Sequence, residues 1–172
     1  TLLVSSAASD VYKRQKRNRA AKVSSANYGF YLGATNDNIE DVKSINPRLT
    51  CGVKVFMGAS TGNMLVDAPK ILEMIFSSTP LLVATHCEDT PTIREQESLA
   101  LEKWGEDIPM REHPNIRSEE ACYLSSSFAV GLAKKHGTKL HVLHLTTARE
   151  MGLFEAGPIA VSYTHLRAHE TN

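Results

Sequence analysis

The chain carries no excess of charge: nineteen lysines and arginines stand against nineteen aspartates and glutamates. No field of one sign is present to attract nucleic acid or an anionic membrane surface, so neither is expected as a partner and a small-molecule substrate is. Cysteine is scarce. Cys51, Cys87 and Cys122 are odd in number, widely spaced and contain no CxxC pair, which excludes a disulfide framework and points to a reducing compartment, the cytoplasm by default. Long hydrophobic runs are also missing: no stretch approaches the roughly 18–20 apolar residues that span a bilayer, and the first residues lack the ordered regions of a signal peptide. There is no internal repeat and no low-complexity linker.

What is present is a chain of 172 residues, 42% hydrophobic, enough for one domain with a substantial core. Its two ends read differently from its middle. SSAASDVYKRQ (5–15) and VSYTHLRAHET (161–171) resemble translated sequencing-adapter read-through, so residues 1–15 and 161–172 are expected to be artefactual ends that pack poorly, leaving 16–160 as the informative domain of a protein cut on both sides. His165 and His169, spaced i, i+4 like a helical metal pair, fall inside the excluded segment.

Between the ends, strand-like apolar runs alternate with helix-length amphipathic ones, the pattern of βαβ units and a parallel sheet. Strands are expected at 27–34, 52–57, 81–86 and 139–145. Helices are expected at 35–46, at 67–78 with Asp67 as N-cap and Pro69 in the first turn, at 91–104, at 118–136 opened by a Ser-Glu-Glu capping pattern, and at 147–156. Residues 105–115 read as a proline-containing loop. Four strands each followed by a helix make half of a (β/α)₈ barrel or most of an open doubly wound sheet.

GVKVFMGASTGNMLVD (52–67) places a lysine inside a strand. Alternation puts Gly52, Lys54, Phe56 and Gly58 on one face and Val53, Val55 and Met57 on the other. One reading is an edge lysine that snorkels to water. The other is a buried lysine, which loses its proton and becomes a reactive neutral amine. His86 closes the third strand in THCED, and His144 lies near the end of the fourth in LHVLHLTTARE. Alone, each histidine reads as a hydrogen-bonded core residue. Three such groups at the carboxyl ends of neighbouring parallel strands suit a metal site, with a carboxylated lysine supplying two oxygens and the imidazoles completing a set that zinc accepts. Gly58 and Gly62 make no phosphate loop, because no Gly-Lys-Ser/Thr follows them.

Taken together, GVKVFMGASTGNMLVD, ATHCEDTPTI, HPNIRSEEACY and LHVLHLTTARE resemble the middle of a bacterial dihydroorotase of the amidohydrolase superfamily. The resemblance covers nearly all of 16–160. It implies a partial (β/α)₈ TIM barrel, with these strands as its third to sixth. It implies two zinc ions in the complete enzyme, bridged by carboxylated Lys54, with His86 and His144 binding one of them. It implies reversible cyclisation of N-carbamoyl-L-aspartate to L-dihydroorotate in pyrimidine synthesis, and makes Ser60, Thr61 and Asn63 candidate substrate contacts of a closing loop. A homodimer is expected for the complete protein. The His-x-His pair of the family's first strand and the aspartate of its eighth are absent, and His141 and His144, expected on opposite faces of their strand, do not replace that pair, so the chain alone is expected to be inactive. Dihydropyrimidinases, hydantoinases and allantoinases share the lysine and both histidines and form the near alternative. A catalytically silent dihydroorotase-like subunit is the alternative of another class.

Overall fold

A computed structural model describes residues 6–60, 62–154 and 162–164, the last by backbone alone. The chain divides into two units, residues 1–30 and 31–172. The first contains helix α1 (Ser6–Val23), rich in alanine and in long basic side chains that lose little rotamer freedom in a helix. Residues 6–15, expected to be irregular, are the first half of this helix.

The second unit is built on five parallel strands. β1 (Tyr31–Gly33), β2 (Gly52–Phe56), β3 (Leu82–His86), β4 (Leu140–Val142) and β5 (Ser162–Thr164) lie side by side in the order in which the chain makes them. A doubly wound sheet reverses its strand order at a switch point, whereas a barrel adds each strand beside the last. The sequential order is therefore barrel winding, and the open-sheet alternative is set aside. β5 lies within 161–172 and pairs in register with β4, from Leu140↔Ser162 to Val142↔Thr164. His165 and His169 lie outside the described residues.

Helices cover one face of this sheet. α2 (Ile39–Lys43) follows β1, α3 (Pro69–Ser78) follows β2, α4 (Thr90–Trp104), α5 (His113–Ile116) and α6 (Glu119–His136) follow β3, and α7 (Ala148–Met151) follows β4. Val53, Val55, Val83, Leu140 and Val142 bury themselves beneath Leu72, Ile75 and Phe76 of α3 and Ala129, Leu132 and Ala133 of α6. These positions alternate along the strands with the other face. In-register pairing puts Gly33, Lys54, Ala84 and His141 in one row of that second face, and Phe56 and His86 in the next.

Several helix ends differ from the expectation. α3 is capped by Ala68, not Asp67, because the chain stays extended through Val66, whose N–H donates to Phe56 O at 2.9 Å, and Pro69 then opens the helix. Ser118 does cap α6 by accepting from Ala121 N at 3.3 Å, but the third helical residue is that alanine, so no glutamate completes a capping box. Asp89 caps α4, accepting from Thr92 N at 3.0 Å. The expected loop 105–115 runs into α5, a single turn that starts at His113 and has Pro114 in its first positions. The helix expected over 147–156 is α7, four residues long, with Thr147 as its cap. None of the three cysteines forms a disulfide. Among the described residues no helix is long and apolar enough to cross a membrane.

Candidate active site

The carboxyl ends of β2, β3 and β4 carry the groups singled out from the sequence. Lys54 stands on the face away from the helices, its Nζ 4.1 Å from the centre of the Phe56 ring and donating to Val55 O at 3.3 Å. Partial burial lowers its pKa from the ordinary 10.5 to about 8, so a substantial fraction is neutral amine near physiological pH. β2 lies between β1 and β3, so Lys54 is not on an edge strand, and its side chain is half-buried. Phe56 in turn lies against His86, with ring centres 6.2 Å apart.

His86 and His144 meet directly: His86 Nδ1 and His144 Nε2 are 2.8 Å apart. Alternation along β4 would have sent His144 to the helix side. Its φ of +40° lies in the left-handed region, which turns the chain just after Leu143, whose N–H is still bonded to Thr85 O at 3.0 Å. The strand thus ends by aiming His144 across at β3. His141, one row lower, shares the face of Lys54 and is buried.

The other nitrogen of His86 is also engaged. Nε2 lies 3.0 Å from Glu88 Oε2, and Arg117, just before α6, donates to the same oxygen from Nη1 at 2.5 Å. Burial works against a charged Glu88, but the hydrogen bonds from His86 and Arg117, together with the charge of the Arg117 guanidinium, outweigh it and hold the carboxyl at about 2. Gly58, after β2, packs so closely that a Cβ there would come within 2.2 Å of Glu88 O. Glu88 and Arg117 lie within quoted motifs, yet sequence reasoning assigned them no role. The available signal was a carboxylate two residues after a strand-end histidine.

A cavity of ≈ 50 Å³ opens beside the pair, with His86, Glu88, Cys122, His144 and Glu150 in its wall. Burial pushes the thiols of Cys87 and Cys122 up to about 11, leaving them protonated and poor ligands. Glu150, on α7, is fully engaged: Ser126 of α6 donates to it, and Thr147 Oγ1 does so at 2.7 Å.

The loop after β2 is hydrogen-bonded to the loop after β1. Asn63 Nδ2 donates to Asp37 Oδ1 at 2.8 Å, and Asn36 Nδ2 donates to Leu65 O at 2.8 Å. Ser60 is half-buried, and Thr61 lies outside the described residues. The structure brings His86 and His144 together, leaves Lys54 on the same face one row away with Phe56 between it and His86, and ties Asn63 to the loop after β1.

Among the described residues no three His, Cys, Asp or Glu side chains converge into a ready-made metal cage. The donor set nevertheless fits a metal once Lys54 is counted. Two imidazole nitrogens face one another, one of the rings is held from behind by a carboxylate, as metal-binding histidines commonly are, and the neighbouring amine is depressed in pKa.

No protein-family model matches the chain. It is similar to a dihydroorotase from Methanosphaera stadtmanae, with 27% identity over 146 residues that cover 81% of this chain and 31% of the relative. The chain thus spans about a third of the length of the curated relative it matches. In structure it is similar to an L-hydantoinase (dihydropyrimidinase) from Arthrobacter aurescens, with a TM-score of 0.73 at 20% identity, covering 82% of this chain and 32% of that one. It is likewise similar to a dihydropyrimidinase from Brevibacillus agri, with a TM-score of 0.64 at 23% identity, covering 89% and 35%. The dihydroorotase resemblance read from the motifs and the partial (β/α)₈ barrel both stand.

Proposed function

We propose that residues 16–160 are the central part of a metal-dependent cyclic amide hydrolase, a dihydroorotase that interconverts N-carbamoyl-L-aspartate and L-dihydroorotate in pyrimidine synthesis. The observation that carries this reading is the meeting of His86 Nδ1 and His144 Nε2 at the carboxyl edge of the sheet, on the face that bears Lys54. The similarity to a dihydroorotase supports the choice among cyclic amides.

In this reading the residues divide the work. Neutral Lys54 adds carbon dioxide: its nitrogen lone pair forms the N–C bond, one proton leaves, and the carbamate that results presents two oxygens. His86, through Nδ1, and His144, through Nε2, would be nitrogen donors for one of two zinc ions once their mutual hydrogen bond opens. Bound there, the ions supply an acidified water and polarise the ring amide carbonyl. The Phe56 ring lies 4.1 Å from the Lys54 Nζ and helps keep bulk water from the amine. Ser60, Thr61 and Asn63 are the proposed substrate contacts, and for Asn63 that role requires release from Asp37. The remaining ligands come from portions of the parent protein outside this chain. The parent is placed in the cytoplasm and acts on a small molecule, with a homodimer as its proposed assembly.

The test uses the full-length protein that contains these residues. Ring opening and closure of dihydroorotate are followed by absorbance with zinc present, with hydantoin and dihydrouracil as competitors. Turnover of dihydroorotate is expected, and Lys54→Ala should remove nearly all of it. Strong activity on the uncharged rings with none on dihydroorotate would move the assignment to a dihydropyrimidinase or hydantoinase. No turnover of any ring by metal-loaded protein would favour a silent subunit.

A further inference from the structure

We propose that Glu88 and Arg117 are a positioning pair that fixes which nitrogen of His86 is offered to the site. The inference rests on the metal-site reading for its purpose, but the arrangement itself stands on contacts within this chain. Glu88 Oε2 lies 3.0 Å from His86 Nε2 and as a carboxylate can only accept, so Nε2 donates and the lone pair of that ring stays on Nδ1, the nitrogen facing His144. Arg117 Nη1 donates to the same carboxylate oxygen at 2.5 Å.

Three further features hold the carboxylate where it is. The backbone of the next residue is tied to α6, with Asp89 N donating to Ala121 O at 3.0 Å, so the segments bearing Glu88 and Arg117 move together. Gly58 closes on Glu88 from the β2 side, where any side chain would collide with Glu88 O and Cβ. The Glu88 side chain is only 12% exposed and that of His86 14%, so water competes little for either hydrogen bond. An exposed ion pair would have no such directing power. Here the anion, the imidazole and the guanidinium form a chain that begins at α6 and ends at the Nδ1 lone pair.

The pair therefore acts through His86 and touches no substrate. Without Glu88, His86 would be free to adopt the other tautomer or to turn, and the two imidazoles would no longer present opposed nitrogens. Arg117→Met keeps the stem but removes the guanidinium, leaving the carboxylate with a weaker hold.

The experiment is long-range proton–nitrogen NMR of histidine side chains in the metal-free full-length protein, combined with zinc affinity measured against a chelator. Wild type is expected to show His86 protonated at Nε2. Glu88→Ala should give a mixture of tautomers and bind zinc about 10- to 100-fold more weakly, both read at a temperature where the metal-free variant is still fully folded. Glu88→Gln should restore part of both, since its amide oxygen can still accept from Nε2. If Glu88→Ala does not fold, Arg117→Met serves instead, with a smaller shift in the same direction. An unchanged tautomer and unchanged zinc affinity in the folded variants would overturn the proposal. Should wild type bind no zinc, the functional reading falls, while the tautomer measurement still decides this inference.

Discussion

Lys54 carries the greatest chemical consequence of any single residue here, because burial takes its pKa from 10.5 to about 8. Between those values the unfolded chain holds the proton and the folded one has released it, so stability should rise as pH increases from about 8 to 10.5. Lys54→Met should flatten that rise, and thermal melts of the full-length protein at pH 7.5 and 9.5 check it. Glu88 has the same sign of dependence over a lower range: its carboxyl, held at about 2, contributes stability above the ordinary value of 4.5 that is lost as pH falls towards 2. His144 shows a different kind of balance. A non-glycine residue at φ +40° is held at a cost of about 1–3 kcal/mol, comparable to the hydrogen bond it gains with His86. His144→Gly is expected to leave stability within about 1 kcal/mol while abolishing its share of metal binding, an outcome readable by urea titration beside a zinc assay.

At the scale of elements, the loop between β4 and α7 aims His144, and α7 is anchored to α6 through Glu150, Thr147 and Ser126. Ser126→Ala would leave a buried carboxylate short of a donor and should cost about 1–3 kcal/mol, measured by denaturant unfolding. The strands and most helices were legible in the sequence because their apolar periods are those of buried strands and amphipathic helices. Lys54 and His86 were legible for the same reason, since alternation assigns their face. His144 was legible as a strand-end residue expected beside His86, but the device that brings it there, the left-handed turn after Leu143, carries no sequence signal, since strand alternation alone would send residue 144 to the helix side. The cap at Ala68 escaped notice because the extended chain at 65–66 pairs with the end of β2, a tertiary contact that local pattern does not carry. Glu88 and Arg117, 29 positions apart, meet only when α6 docks on the loop after β3.

For the whole molecule, the ordered winding β1-β2-β3-β4-β5 places three consecutive strand ends around one face, and this gathers chemistry that lies 90 residues apart between Lys54 and His144. β1 and β5 are the outer strands of that sheet, and unpaired strand edges invite association. The 172-residue chain alone is therefore expected to self-associate and to lack activity, whereas the full-length protein should sediment as a defined species. The decisive measurement is the zinc content of that full-length protein and of its Lys54→Ala, His86→Ala and His144→Ala variants, each purified under identical metal-replete conditions. Wild type should hold two zinc ions per chain and every variant measurably fewer, with its fold intact by circular dichroism. Equal zinc in all four proteins, or none in wild type, would contradict a metal site built from these three residues.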